Sequence, residues 1–173
     1  MTPEKFEKFY PVVASWIRST LTVHSGAART VASCGFTRLP FYFSAETLAL
    51  AKVVLVDRLP LPPLSSWGLT QFADFEHSDP EGITYLDMFF LKRKQWKNEA
   101  LHFHELIHVI QWRVLGPENF LRSYADGLER HGYRQSPLEV MAYDAEAQFV
   151  TSMVRFDAER LVLESLTRAG YRQ

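Results

Sequence analysis

The sequence predicts an α+β fold, a small sheet packed on helices, and three observations carry that prediction. Residues 52–56 and 82–91 are compact runs rich in β-branched and aromatic side chains. Segments near both ends, and one beginning at residue 99, repeat apolar residues at helical spacing. Prolines and glycines punctuate the chain between these runs. A chain of 173 residues, 47% hydrophobic and 14% aromatic, can build one sizeable core and would be cramped as two domains, so residues 1–173 are read as a single domain.

Thr2-Pro3-Glu4 opens the first helix, with a hydroxyl cap followed by proline at the first helical position. Phe6, Phe9, Val13, Trp16 and Ile17 continue it to about Val23, with Pro11 a place where it can bend. Residues 24–45 read as short helical pieces and turns, and Phe41-Tyr42-Phe43 as a short strand. Lys52–Val56 is a strand, ended by Pro60, Pro62 and Pro63. Residues 64–82 read as a loop long enough to have a function of its own. Gly82–Leu91 reads as a second strand, followed by a basic, solvated turn at Lys92-Arg93-Lys94. Asn98 caps a helix starting at Glu99, which Gly116-Pro117 stops. Residues 117–135 are mixed helix and turn. Ser136-Pro137-Leu138-Glu139 opens a last helix reaching about Thr167, with an apolar stripe of Leu138, Ala142, Ala145, Phe149, Met153 and Phe156.

Composition excludes several function classes. A net charge of -1 and a pI near 6.6 give no sign of the basic surplus expected of a nucleic-acid binder, so no nucleic-acid partner is expected. The single cysteine, Cys34, can form no internal disulfide and excludes a zinc site built from several thiolates; it fits a buried thiol better than a nucleophile. The segment from Met1 to Tyr10 carries Glu4, Lys5, Glu7 and Lys8, unlike a secretory signal, and no run approaches the roughly 18 apolar residues of a membrane span. The expected location is the cytoplasm, with no membrane partner.

The chemistry is expected at His104-Glu105-Leu106-Ile107-His108. Residues four apart on a helix share a face, so His104 and His108 can point two imidazoles at one Zn²⁺ ion. Glu105, one residue round the helix, can reach a water on that ion without being a ligand, and so serve as general base. The motif lies among Leu101, Phe103, Val109, Ile110 and Trp112, where ionisable side chains are costly unless paired or metal-bound. His102, two residues from His104, points to another face.

A catalytic zinc takes three protein ligands and keeps one position open. Gln111 and Val114 stand where the metzincin pattern requires glycine and histidine, which excludes that form. The third ligand is sought on the next long helix, where Glu139 and Glu146 can share a face with Tyr143 between them. Glu139 also fits a capping box with Ser136. Glu139 leads, Glu146 follows, and His131, Asp126 and Asp144 stand behind them; Cys34 is remote.

His104-Glu105-Leu106-Ile107-His108-Val109-Ile110-Gln111-Trp112, then Leu115-Gly116, Phe120, Tyr124, Tyr133 and Pro137-Leu138-Glu139 with Ala142-Tyr143, resembles the small gluzincin-type zinc metallopeptidases, the minigluzincins. The resemblance spans roughly residues 82–146. It implies a zincin-like fold, with an edge strand packed on the metal helix and a glutamate ligand on a later helix, which is Glu139 here. It makes residues 83–91 the edge strand along which a peptide substrate would lie by strand addition. Two features depart from larger gluzincins: Tyr143 stands where an acid supports a histidine ligand, and no further domain brings an oxyanion donor. Tyr124, Tyr133 or Tyr143 would fill that role, and Tyr143 is taken as the catalytic tyrosine beside Glu105. The leading expectation is a zinc metallopeptidase. The alternatives are a non-catalytic, zinc-stabilised peptide-binding domain and a zinc hydrolase of non-peptide amides.

Overall fold

The computed structural model describes residues 1–171. Among them the chain forms six α-helices and a four-stranded mixed sheet. Helix α1 (Pro3–His24) starts as its sequence dictates: the Thr2 hydroxyl accepts the Lys5 N–H at 3.3 Å. It runs through Pro11 as one helix and buries Phe6, Ala14 and Ile17. Strand β1 (Arg29–Thr30), helix α2 (Ala45–Leu50) and strand β2 (Lys52–Val56) follow.

The expected strand at Phe41-Tyr42-Phe43 does not form. Residues Leu39–Phe41 make a 3₁₀ turn instead, because local partners satisfy the backbone. Glu99 Oε1 accepts the N–H groups of Arg38 at 2.9 Å and Leu39 at 3.1 Å, and the Tyr42 N–H bonds the Leu39 carbonyl at 2.9 Å. Tyr42 and Phe43 are buried in the core.

Residues 64–82 are more than a loop. They hold two 3₁₀ turns and the short helix α3 (Ala73–Glu76). Leu64, Leu69, Phe72 and Phe75 bury together, so this segment packs as a lobe with its own small apolar cluster.

The expected single strand at 82–91 is a hairpin. Strands β3 (Gly82–Tyr85) and β4 (Met88–Lys92) pair antiparallel across a two-residue turn, with Leu86 at φ 57. The turn was hidden because Leu86-Asp87 lacks the Asn-Gly or Asp-Gly signal that marks such hairpins. The sheet order is β1-β2-β4-β3, with β2 and β4 parallel, so β3 alone is the edge strand beyond β4.

Helix α4 (Glu99–His131) is broken at Gly116, whose φ of 72 and ψ of 162 are not helical. The expected stop is therefore a break, after which Pro117 starts a new run with the fixed φ suited to a helix's first position. The expected long last helix is two: α5 (Pro137–Thr151) and α6 (Ala158–Arg168). Ser152 turns extended at φ -86 and ψ 137, and the Asp157 carboxylate caps α6 by accepting the Arg160 N–H at 3.0 Å. Leu138, Ala142, Ala145 and Phe149 bury as the stripe predicts, whereas Met153 falls in the break and is 98% exposed. Among the described residues, no helix is long and apolar enough to cross a membrane.

Candidate metal centre

The first part of α4 runs through the middle of the molecule. Asn98 caps it by accepting the Leu101 N–H at 3.2 Å, and every residue from His102 to Trp112 is buried. Three of those are ionisable side chains at motif positions, so their charges need partners.

The partners converge from two helices. His104 and His108 on α4 place their Nε2 atoms 3.2 Å apart. Glu139 on α5 brings Oε2 within 3.5 Å of His104 Nε2 and Oε1 within 3.5 Å of His108 Nε2. A tetrahedral ion with bonds of about 2.0–2.1 Å holds its ligand atoms roughly 3.3 Å from one another. The donor set therefore has the spacing such an ion requires, and all three residues are buried.

Glu139 Oε2 is buried and has no hydrogen-bond partner. A buried carboxylate oxygen without a donor is costly unless a cation fills the gap. The competing capping role is not taken up: the Ser136 side chain makes no cap bond, and its hydroxyl is buried without a partner. The donor chemistry and the orphaned oxygen both fit a divalent zinc ion.

Each site residue is held from behind. Glu146 Oε2 lies 3.1 Å from His104 Nδ1, so this second-ranked ligand candidate supports a histidine and faces away from the ligand cluster. Gln111 Oε1 lies 2.8 Å from His108 Nδ1, while its Nε2 donates to the Leu138 carbonyl at 3.0 Å. That one amide ties a ligand histidine to the helix carrying Glu139. The Tyr124 hydroxyl donates to Glu139 Oε1 at 2.6 Å. Such outer bonds fix ring orientation and ligand basicity. The sequence marked Gln111 only as a departure from another motif; its spacing of three from His108 was the available signal. His131, Asp126, Asp144 and Cys34 are outside the cluster. His102 faces elsewhere, with Nδ1 2.9 Å from the Asn98 carbonyl and its ring against Phe36.

Charge follows geometry. Burial disfavours the charged form of His104, but Glu139 and Glu146 outweigh it and raise its pKa to about 10. Burial alone would raise the Glu139 carboxyl, yet His108 and His104 hold it far below the usual carboxylate range. Glu105 is pushed up by burial, against the pull of His104 and His108.

Glu105 reaches toward the edge strand. Thr84 donates its hydroxyl to Glu105 Oε2 at 2.6 Å. Gly82 leaves room for the same carboxylate: a Cβ there would overlap Glu105 Oε1 and crowd Leu91. The Lys92 N–H donates to the Glu81 carbonyl at 3.0 Å, so by antiparallel alternation Gly82 and Thr84 turn their backbone groups away from β4. The Thr84 carbonyl already accepts Trp112 Nε1–H at 3.2 Å. The free rung of the edge strand is thus centred on Gly82.

The three tyrosines separate. Tyr143 packs its ring against His104, with centroids 4.6 Å apart. Tyr124 is committed to Glu139. Tyr133 lines a cavity of about 110 Å³ together with Glu105, His108 and Glu139. Burial and the nearby Glu139 raise the Tyr133 hydroxyl pKa well above its ordinary value, so it remains a proton donor. The chain matches no known protein family, no curated protein and no solved structure.

Proposed function

We propose that this chain is a zinc-dependent hydrolase of zincin-like fold, a gluzincin-type metallopeptidase with Glu105 as general base. His104, His108 and Glu139 would hold the ion. The observation that carries the reading is the placement of Glu105: a buried carboxylate beside a complete three-donor cluster, clamped by Thr84 and facing the cavity. A domain that only bound metal would have no need of that fourth ionisable group.

Zinc bound here supplies Lewis acidity, enough to bring a water's pKa to about 7. The protein's own residues supply the rest. Glu105, held by Thr84 beside the cluster, would accept the water's proton. Thr84 holds Glu105 Oε2, while Oε1 lies over Gly82. Tyr133, which lines the cavity with a hydroxyl not bonded to Glu139 as that of Tyr124 is, would donate to a developing oxyanion. Tyr143 acts on His104 through ring packing. The backbone groups of Gly82 offer a short rung for a peptide, consistent with a substrate that pairs over one or two residues.

A second reading is a zinc hydrolase of non-peptide amides. The Trp112–Thr84 bond favours it, because that carbonyl is the next one an extended peptide would use.

The test is Glu105→Gln. The amide keeps the size and the Thr84 contact but cannot take the proton. Zinc content and melting temperature should hold, while hydrolysis falls by ~10²–10⁴-fold. A folded, zinc-loaded Glu105→Gln protein with most of its activity would remove Glu105 from the mechanism.

A further inference from the structure

Thr84 holds Glu105 with a hydrogen that has two places to go. Its hydroxyl lies 2.6 Å from Glu105 Oε2 and 3.3 Å from the Glu105 backbone carbonyl, and a hydroxyl has one hydrogen to give. A small rotation at Thr84 would move that hydrogen from the carboxylate to the carbonyl. Gly82, two residues back on the same strand, lies against the other carboxylate oxygen. The placement of β3 therefore sets both oxygens of Glu105.

Trp112 pins the strand at that point. It follows Glu105 by two turns on the same face of α4, and its buried indole N–H donates to the Thr84 carbonyl at 3.2 Å. One residue of β3 is thus clamped to α4 twice, through its hydroxyl and through its carbonyl. The indole is itself fixed, because its ring stacks on Phe120 with centroids 3.9 Å apart and planes 17° apart. Residues eight apart in an unbroken helix lie ~12 Å apart along the axis. The break at Gly116 turns the second run of α4 far enough to make this stack. Phe120 stacks in turn on Tyr124, whose hydroxyl holds Glu139. We propose that Trp112 is a positioning residue for Glu105: its indole N–H holds the Thr84 carbonyl so that the Thr84 hydroxyl bonds the carboxylate. The inference rests on the reading of Glu105 as general base and deepens it. A buried indole N–H needs an acceptor somewhere. This acceptor belongs to the residue whose side chain holds the base, and it lies on the edge strand, where an extended peptide would otherwise pair with it. The edge strand gives up that acceptor to fix the base.

Two experiments test this. The first uses metal-free protein and NMR. The Trp112 indole N–H should exchange with solvent far more slowly than that of Trp96, which is 53% exposed. Equal exchange rates overturn the proposal. The Glu105 carboxylate carbon, assigned by its loss in Glu105→Gln, should shift in Trp112→Phe in the same direction as in Thr84→Val. Benzothienylalanine incorporated at position 112 keeps the ring size and lacks the N–H, and it should shift the signal likewise. A signal that stays in place in either folded form without the N–H overturns the proposal. The second experiment is a double-mutant cycle on zinc-loaded protein, read as acetohydroxamate affinity. Acetohydroxamate gives up its hydroxyl proton as it binds, and Glu105 is the base that takes it. Trp112→Phe should weaken this probe roughly two- to tenfold, the worth of one hydrogen bond, and leave zinc affinity unchanged. In the Glu105→Gln background the same substitution should cost almost nothing. Equal losses in both backgrounds would show that Trp112 does not act through Glu105. A chain that takes up no zinc, or a Glu105→Gln protein with wild-type hydroxamate affinity, would remove the hydrolase reading, and the metal-free signals would still decide the tie between Trp112 and Glu105.

Discussion

Replacing Glu139 by alanine should damage zinc binding far more than replacing Glu146, and the structure sets the two magnitudes apart. Glu139 has an orphaned buried oxygen 3.5 Å from His104 Nε2, and its other oxygen is 3.5 Å from His108 Nε2. Deleting one member of a buried charge pair costs about 3–5 kcal/mol, which is ~10²–10⁴-fold in affinity. Glu146 is 26% exposed and touches only His104 Nδ1, so its loss belongs to the ~10–100-fold range of outer supports. Competition against a chromogenic zinc chelator reads both affinities, and circular dichroism confirms that each variant is folded. If Glu139 were only a helix cap, its loss would cost about 1 kcal/mol of stability and leave zinc affinity alone. Equal zinc affinity in wild type and Glu139→Ala would refute the ligand assignment; a larger loss in Glu146→Ala would exchange the two roles.

Two further predictions follow from the surroundings of the cluster. Gly82→Ala should lower activity more than it lowers zinc affinity, because the new methyl displaces the Glu105 carboxylate and leaves the three ligands in place; unchanged turnover in a folded Gly82→Ala protein would show that Glu105 has room to move. In chelator, melting temperature should fall between pH 7 and pH 9. His104 has its pKa raised to about 10, so its stabilisation is complete below about 6.5 and is lost as pH rises through 10, at up to about 1.4 kcal/mol per pH unit. The fall should be smaller in His104→Gln, where only the raised His108 remains, and zinc should reverse it, since the histidines bind zinc in their neutral form. A chelated wild type that becomes more stable over that range would contradict the charge state assigned to His104.

Much of the site was legible in the sequence because helical spacing is rigid. The spacing of four from His104 to His108 fixes their shared face whatever the rest of the fold does. Glu139 was harder, since Ser136-x-x-Glu139 is also a capping pattern, and only the packing of α5 on α4 decides which way the carboxylate turns. Glu146 reads as a ligand candidate because it shares a face with Glu139, and spacing does not say which ring nitrogen a carboxylate meets. Sequence does not rank Tyr133 against Tyr143, because Tyr133 lies in the turn before α5, whose path no periodicity encodes. The hairpin at 82–92 is hidden in the sequence for a different reason. Its turn holds Leu86, which continues the apolar run, with Asp87 as the one charged residue, and the left-handed Leu86 is held by the strands it joins. Residues 64–82 read as loop from their Ser, Gly, Asp and Pro content, although Leu64, Leu69, Phe72 and Phe75 bury together within them.

The most direct test of the central claim is an anomalous-diffraction measurement at the zinc edge on crystals of zinc-loaded protein. The account predicts one peak per chain, about 2.0–2.2 Å from His104 Nε2, His108 Nε2 and a Glu139 oxygen, with Glu105 next to it and not bonded to it. No peak at that position, or a peak ligated by Glu105 in place of Glu139, would contradict it.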